Sequence, residues 1–120
     1  AVSDEFRVLL QDQGFSARLS RLFQEHIERP LSVTEMARCL HISPRTLAGK
    51  CQRLLGCSPA RGFLQCRLEH ARRLLSEVQL SVKEVAEQLG FTDPFHFSKA
   101  FKRHFGLSPS RCRTEGSVQI

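Results

Sequence analysis

Five cysteines (Cys39, Cys51, Cys57, Cys66, Cys112) and five histidines (His26, His41, His70, His96, His104) are the side chains able to ligate a metal or attack a substrate. Their spacing argues against both roles. There is no C-x-x-C pair, no HExxH and no Cys/His quartet, so neither a metal site nor a disulfide framework is expected. No glycine-rich phosphate loop, paired carboxylates or nucleophile with an identifiable base is present either, and the chain reads as a non-enzyme without a cofactor. Most of the thiols are expected to be buried and to act as small hydrophobes. A different set has the right spacing for contact chemistry. At 100° per residue, Phe95, Lys99 and Lys102 share one helix face, with His96 and Arg103 on one flank and Ser98 on the other. Arg45, Gly49 and Gln52 form the corresponding stripe of an earlier helix. Rows of this kind offer charge and hydrogen bonds to a polyanion.

The distribution of charge supports that partner. The chain has 120 residues and a formal net charge of +6. Residues 1–40 hold five Arg against six acids, net −1, whereas residues 41–120 hold 13 Lys and Arg against six acids, net +7. A basic region of this kind suits nucleic acid better than a membrane, because no strongly amphipathic basic terminus accompanies it. No apolar run approaches the length of a membrane span and no signal peptide is visible, so a soluble, cytoplasmic protein with no membrane partner is expected. The chain starts at Ala1 rather than Met, so either a processed product or a piece cut from a longer protein is expected, with the cut piece favoured.

The helices that must carry these stripes come from an internal repeat. Leu31, Ser32, Val33, Glu35, Ala37 and Leu40 recur 49 residues later as Leu80, Ser81, Val82, Glu84, Ala86 and Leu89. After one inserted residue, Pro44, Arg53, Gly56, Ser58, Pro59 and Arg61 recur as Pro94, Arg103, Gly106, Ser108, Pro109 and Arg111. Twelve identities at fixed spacing mean one structural unit used twice. Each copy opens with a capping box, Ser32-x-x-Glu35 or Ser81-x-x-Glu84, whose helix should end near Leu40 or Leu89. His41 and Gly90 then occupy a turn that favours left-handed backbone. Ser43-Pro44 and Asp93-Pro94 start a second helix that runs to Gly56 or Gly106.

Ser58-Pro59 begins a connector predicted to reach about Glu77, roughly 28 Å long. Phe63, Leu64, Leu68, Ala71 and Leu75 make its apolar stripe, and Glu69 and Arg73 are placed to pair on its outer face. Upstream, Leu19, Leu22, Phe23 and Ile27 predict a first helix. On the second helix of the later copy, Phe97, Ala100, Phe101 and Phe105 face inward with His104 among them. In the earlier copy Leu47, Cys51, Leu54 and Leu55 are expected to do the same.

A short capped helix, a tight turn and a second helix with cationic and polar residues outward is a helix-turn-helix arrangement, whose second helix enters the major groove of duplex DNA. At this point residues 15–113 resemble the DNA-binding domain of the AraC/XylS transcription regulators. The resemblance rests on A-x-x-x-G-F-x-D-x-x-H-F-x-K-x-F-K-x-x-x-G-x-S-P from Ala86 to Pro109 and on "ISPRTL…GCSPARGFLQCRLEHARRLL" upstream. It implies an all-α fold of about seven helices, with two helix-turn-helix subdomains joined by a long central helix. The expected boundaries are a linker or remnant of a preceding domain at 1–13, the first subdomain at 14–57, the connecting helix at 58–78, the second subdomain at 79–114 and a tail at 115–120. It also implies a double-stranded DNA-binding regulator, often an activator, whose two recognition helices enter successive major-groove segments. RNA polymerase becomes an expected partner, with dimerisation and ligand sensing supplied by a domain outside this chain.

Carried over position by position, the groove-facing residues are Arg45, Ala48 and Gly49 in the first copy, and Pro94, Phe95, His96, Ser98 and Lys99 in the second. Arg45 can make a bidentate contact to guanine, Lys99 can reach guanine acceptors or a phosphate, and Phe95 can pack on a thymine methyl. Ala48 and Gly49 depart from the longer polar residues common there in the family, and a mid-helix glycine costs ~1 kcal/mol relative to alanine. Narrower base reading by the first copy follows, centred on Arg45. Arg53, Lys102, Arg103 and Arg111 are phosphate candidates, as are the helix openings at Ser32 and Ser81. Arg61 and Arg111 suit an internal salt bridge equally well. The competing readings are a helical protein-interaction module, the DNA-targeting part of a larger sensor or repair protein, and a cysteine-based redox sensor.

Overall fold

The computed structural model describes residues 4–77 and 79–118, with side chains described for residues 14–77 and 79–113. The described residues form seven helices and no strand: α1 (Asp4–Glu25), α2 (Val33–Cys39), α3 (Pro44–Leu55), α4 (Pro59–Glu77), α5 (Val82–Gln88), α6 (Pro94–Phe105) and α7 (Pro109–Val118). The all-α class and the helix count agree with the sequence reading. Helix α1 starts at Asp4 rather than near residue 14, and α7 continues past residue 114 to Val118, so the flanking segments at 4–13 and 115–118 are helical.

Two compact units divide the chain, one comprising Ala1–His26 with Leu31–Phe63, the other Ile27–Pro30 with Leu64–Ile120. In unit one, α1 and α2 pack on α3 around Phe15, Leu19, Leu22, Phe23, Met36, Leu40, Leu47 and Cys51. The Phe23 and Phe63 rings meet at 5.2 Å, and Lys50 Nζ lies 5.1 Å from the centre of the Phe15 ring. Leu54 and Leu55 do not join this core. They are 37% and 45% exposed, in the last turn of α3 beyond the buried Leu47 and Cys51.

In unit two the core comes from α4, α5 and α6, with Leu68, Ala71, Leu75, Val85, Leu89, Phe97 and Phe101 buried. A chain of rings runs through it, from Phe91 to Phe97 at 5.1 Å, to Phe101 at 5.8 Å and to Phe105 at 4.6 Å. Aromatic pairs at these separations add directional attraction to plain area burial. His104 lies edge-on to Phe105 at 4.5 Å but is exposed rather than inward. Its Nε2 is 4.0 Å from Glu69, and Arg73 contacts His70 Nδ1 at 3.3 Å, so the expected Glu69–Arg73 pair is replaced by two other pairings.

The two turns are built alike. In unit one the His41 N–H donates to Arg38 and the Ile42 N–H to Ala37; in unit two Gly90 donates to Glu87 and Phe91 to Ala86. Both are Schellman closures, which need a left-handed residue just past the helix. His41 has φ 58° and Gly90 φ 79°, as the turn positions predicted. The two positions differ in crowding. A Cβ on Gly90 would stand 2.8 Å from the Glu28 carbonyl oxygen and 3.4 Å from Arg29 Cα, so only hydrogen fits there. Gly49, inside α3 and with nothing within 4 Å of an added Cβ, is the opposite case. Gly90→Ala is expected to lower stability by about 1–3 kcal/mol through backbone strain, and Gly49→Ala to raise it by about 0.5–1 kcal/mol. Paired urea unfolding curves check both signs.

Arg67 in α4 is buried, with 8% exposure. Its Nε donates to the Ile27 carbonyl at 3.4 Å and its Nη2 to the Leu89 carbonyl, while the guanidinium lies 4.4 Å over the Phe91 ring. It thereby satisfies the α5 C-cap carbonyl and ties the 27–30 segment to the turn before α6. Burial lowers its pKa, but an arginine titrates so high that it keeps its charge.

Candidate nucleic-acid interface

Each second helix is set by a local device legible in the sequence. Ser43 caps α3 by accepting from Thr46 N at 3.1 Å, with Pro44 at its start; Asp93 caps α6 by accepting from Phe95 N at 2.9 Å, with Pro94 at its start. Gly56 and Gly106 close the two helices with left-handed φ of 72° and 83°. Leu47 and Cys51 anchor α3, and Phe97 and Phe101 anchor α6, all four fully buried. A helix pinned along one arc must present the opposite arc outward.

On α3 that arc holds Arg45, Ala48, Gly49, Gln52 and Arg53, all exposed. On α6 it holds Phe95, His96, Lys99, Lys102 and Arg103, also exposed, whereas Pro94 and Ser98 are half-buried. Phe95 is 83% exposed, the most exposed large hydrophobic side chain among the described residues. Because the helices are repeats offset by 50 residues, Arg45 corresponds to Phe95, Gly49 to Lys99 and Gln52 to Lys102. The two faces therefore carry different chemistry in one geometry: a guanidinium followed by a bare backbone on α3, a phenyl ring followed by an ammonium on α6.

The phosphate candidates are spread more widely. Arg53 and Arg103 lie in the last turns of α3 and α6, where positive charge also complements the helix dipole. Lys102 stands beside Arg103 on the exposed side. Arg61 and Arg111 are exposed at the openings of α4 and α7, where their backbone N–H groups donate to Ser58 and Ser108. Ser32 and Ser81 are exposed N-caps, each accepting from the N–H three residues on. The full reciprocal box forms only at Ser81, whose own N–H donates to Glu84 at 3.2 Å; at Ser32 just the serine half is present. The Ser81 hydrogen bonds hold the Glu84 carboxyl below its usual range. That places a carboxylate where an anion would dock and weakens Ser81 as a phosphate contact.

The cysteines depart from expectation. All five are free thiols, but only Cys51 is buried; Cys39 is exposed, and Cys57, Cys66 and Cys112 are half-buried. Burial pushes the Cys51 and Cys66 thiols up, away from the reactive thiolate. Among the described residues no cluster of His, Cys, Asp and Glu could hold a metal ion, and no helix is long and apolar enough to cross a membrane. Sequence reasoning missed Arg67, the residue that braces the turn before α6. A lone Arg on an amphipathic helix carries no signal that separates it from solvated neighbours.

Comparison with known proteins places this geometry. Residues 36–115 match the family described as "Helix-turn-helix domain". The HTH-type transcriptional regulator GlxA of Rhizobium meliloti is 47% identical over 91 residues, covering 72% of this chain and 27% of that protein. A solved structure of a transcriptional regulator from Chromobacterium violaceum, described as AraC-type DNA-binding domain-containing, superposes with a TM-score of 0.85 at 28% identity, covering 92% of this chain and 99% of that one. The DNA-binding domain of AdpA, solved in complex with a target DNA, superposes with a TM-score of 0.79 at 29% identity, covering 86% and 93%. The chain spans only about a quarter of the length of the first curated relatives it matches. With its paired capped helices, shared turn geometry and these likenesses, the chain belongs to the AraC/XylS family of helix-turn-helix transcriptional regulators, and it carries the family's DNA-binding domain.

Proposed function

We propose that the chain reads a bipartite site in duplex DNA, with α3 and α6 each entering a major groove. The observation that carries this reading is the pair of equivalent exposed faces, each held by the same cap, turn and buried anchors. Arg45 reads guanine on α3, with Ala48 and Gly49 allowing close backbone approach but adding no side-chain hydrogen bond. On α6, Lys99 and His96 supply polar contacts, Phe95 an apolar one, and Pro94 and Ser98 line the approach. Arg53, Lys102, Arg103, Arg111 and the helix opening at Ser32 hold phosphates, with Ser81 a weaker member of that set. The AdpA domain, seen with target DNA, supports the duplex as partner.

The regions 14–57 and 79–114 act as the two reading subdomains and 58–78 as their connecting helix. The whole regulator works in the cytoplasm as a non-enzymatic activator, contacting RNA polymerase, with sensing and dimerisation placed in a further domain.

Salt titration separates the two kinds of contact. Lys102→Ala or Arg103→Ala should weaken binding to every duplex and reduce the slope of log K against log salt by about one. A change of preferred sequence in either variant would contradict the phosphate role. Weak, salt-insensitive association of the wild-type chain with all duplexes would favour the protein-interaction reading, to which exposed Leu54 and Leu55 would then contribute.

A further inference from the structure

Phe95 stands apart from the other phenylalanines of unit two. Phe91, Phe97, Phe101 and Phe105 form the ring chain of the core, whereas Phe95 is 83% exposed and has no ring partner among the described residues. It is nonetheless firmly placed. Its backbone N–H is held by the Asp93 cap at 2.9 Å, Pro94 fixes the preceding backbone, and Phe97 two residues on is fully buried. The ring therefore projects from the first turn of α6, the part of a recognition helix that approaches base edges.

A phenyl ring has no donor or acceptor. It is blind to the N7, O6, N4 and N6 pattern by which polar side chains distinguish bases. The apolar group that the major groove offers is the methyl on C5 of thymine. 5-Methylcytosine carries the same methyl on the same ring carbon, although its C4 substituent is an amine rather than a carbonyl. Resting on the DNA-reading function above, we propose that Phe95 reads the pyrimidine C5-methyl group itself, so that methylation of a cytosine at that position supplies the contact a thymine would make. Binding to such a site responds to cytosine methylation. The equivalent position on α3 is Arg45, a polar reader, so the sensitivity is confined to the part of the site read by α6.

The test uses the 120-residue chain and a duplex obtained by selection from random DNA. At each pyrimidine of the α6 half, four duplexes are compared, carrying thymine, uracil, cytosine or 5-methylcytosine, with affinity read by fluorescence anisotropy at fixed salt. Burial of one methyl corresponds to about a fourfold change in affinity. At one position thymine should exceed uracil by about that factor, 5-methylcytosine should exceed cytosine by the same factor, and both ratios should fall to one in Phe95→Ala. Comparing ratios removes any preference that His96 or Lys99 has for the C4 substituent. Equal binding of thymine and uracil at every pyrimidine would overturn the proposal, as would a methyl preference that survives Phe95→Ala; in both cases sequence-specific binding would still stand. A folded chain that selects no sequence would overturn the DNA-reading function and this inference together.

Discussion

Truncating Phe101 to alanine is expected to cost about 3–5 kcal/mol of stability. The side chain is fully buried, with the Phe97 and Phe105 rings 5.8 and 4.6 Å from its own. Its removal loses transfer free energy and leaves a void that two rigid rings fill poorly. Small domains are stable by only about 5–15 kcal/mol, so a large share of the total goes. Phe95→Ala, two residues before Phe97 but on the open arc, should shift stability by less than about 0.5 kcal/mol. Urea unfolding followed by helical circular dichroism compares the two. A Phe101→Ala midpoint equal to wild type would contradict the assignment of α6's inner face.

For binding, the largest effects are expected from Arg45→Ala and Lys99→Ala. A good bidentate base contact is worth about 1–3 kcal/mol of discrimination, which corresponds to a loss of about fivefold to 150-fold on the preferred duplex. Affinity for unrelated duplexes should change far less, because the phosphate contacts remain. The two variants should differ in where they act. Ala48 and Gly49 offer no substitute donor next to Arg45, so its loss should erase preference in the α3 half. Lys99 has His96 nearby, so its loss should leave some preference in the α6 half. If Arg45→Ala left sequence preference intact while Lys99→Ala abolished it, unit one would be a positioning clamp rather than a reader. Anisotropy titrations with matched specific and scrambled duplexes distinguish these cases.

Local signals carried most of the fold. Capping serines, the Asp93-Pro94 and Ser43-Pro44 openings and the glycine closures act over a few residues, and each forms where the pattern placed it. The helical period likewise separated Phe95 from Phe97 and Phe101, because direction around a helix depends on nothing distant. What a face meets does depend on distant chain. Leu54 and Leu55 are apolar and nearly in register with Leu47, yet too little of unit one reaches them to bury them. Glu69 could pair with Arg73 at four residues' spacing, but His104 and His70 lie in reach and exposed charges choose among such partners cheaply. Gly90 was legible as a turn residue, whereas its close approach to the Glu28 carbonyl was not, nor was the Arg67 brace spanning 40 residues to Ile27. The candidate reading faces are legible for the same reason as the caps. Which base each side chain prefers is a property of the complex.

Selection of binding sites from random duplex DNA, at moderate salt with scrambled competitor, tests the central claim most directly when run on the wild-type chain, Arg45→Ala and Lys99→Ala in parallel. Two enriched boxes are predicted for the wild type, one lost with Arg45 and the other degraded with Lys99. No enrichment from a chain that remains folded, or one box indifferent to both substitutions, would contradict bipartite reading by α3 and α6.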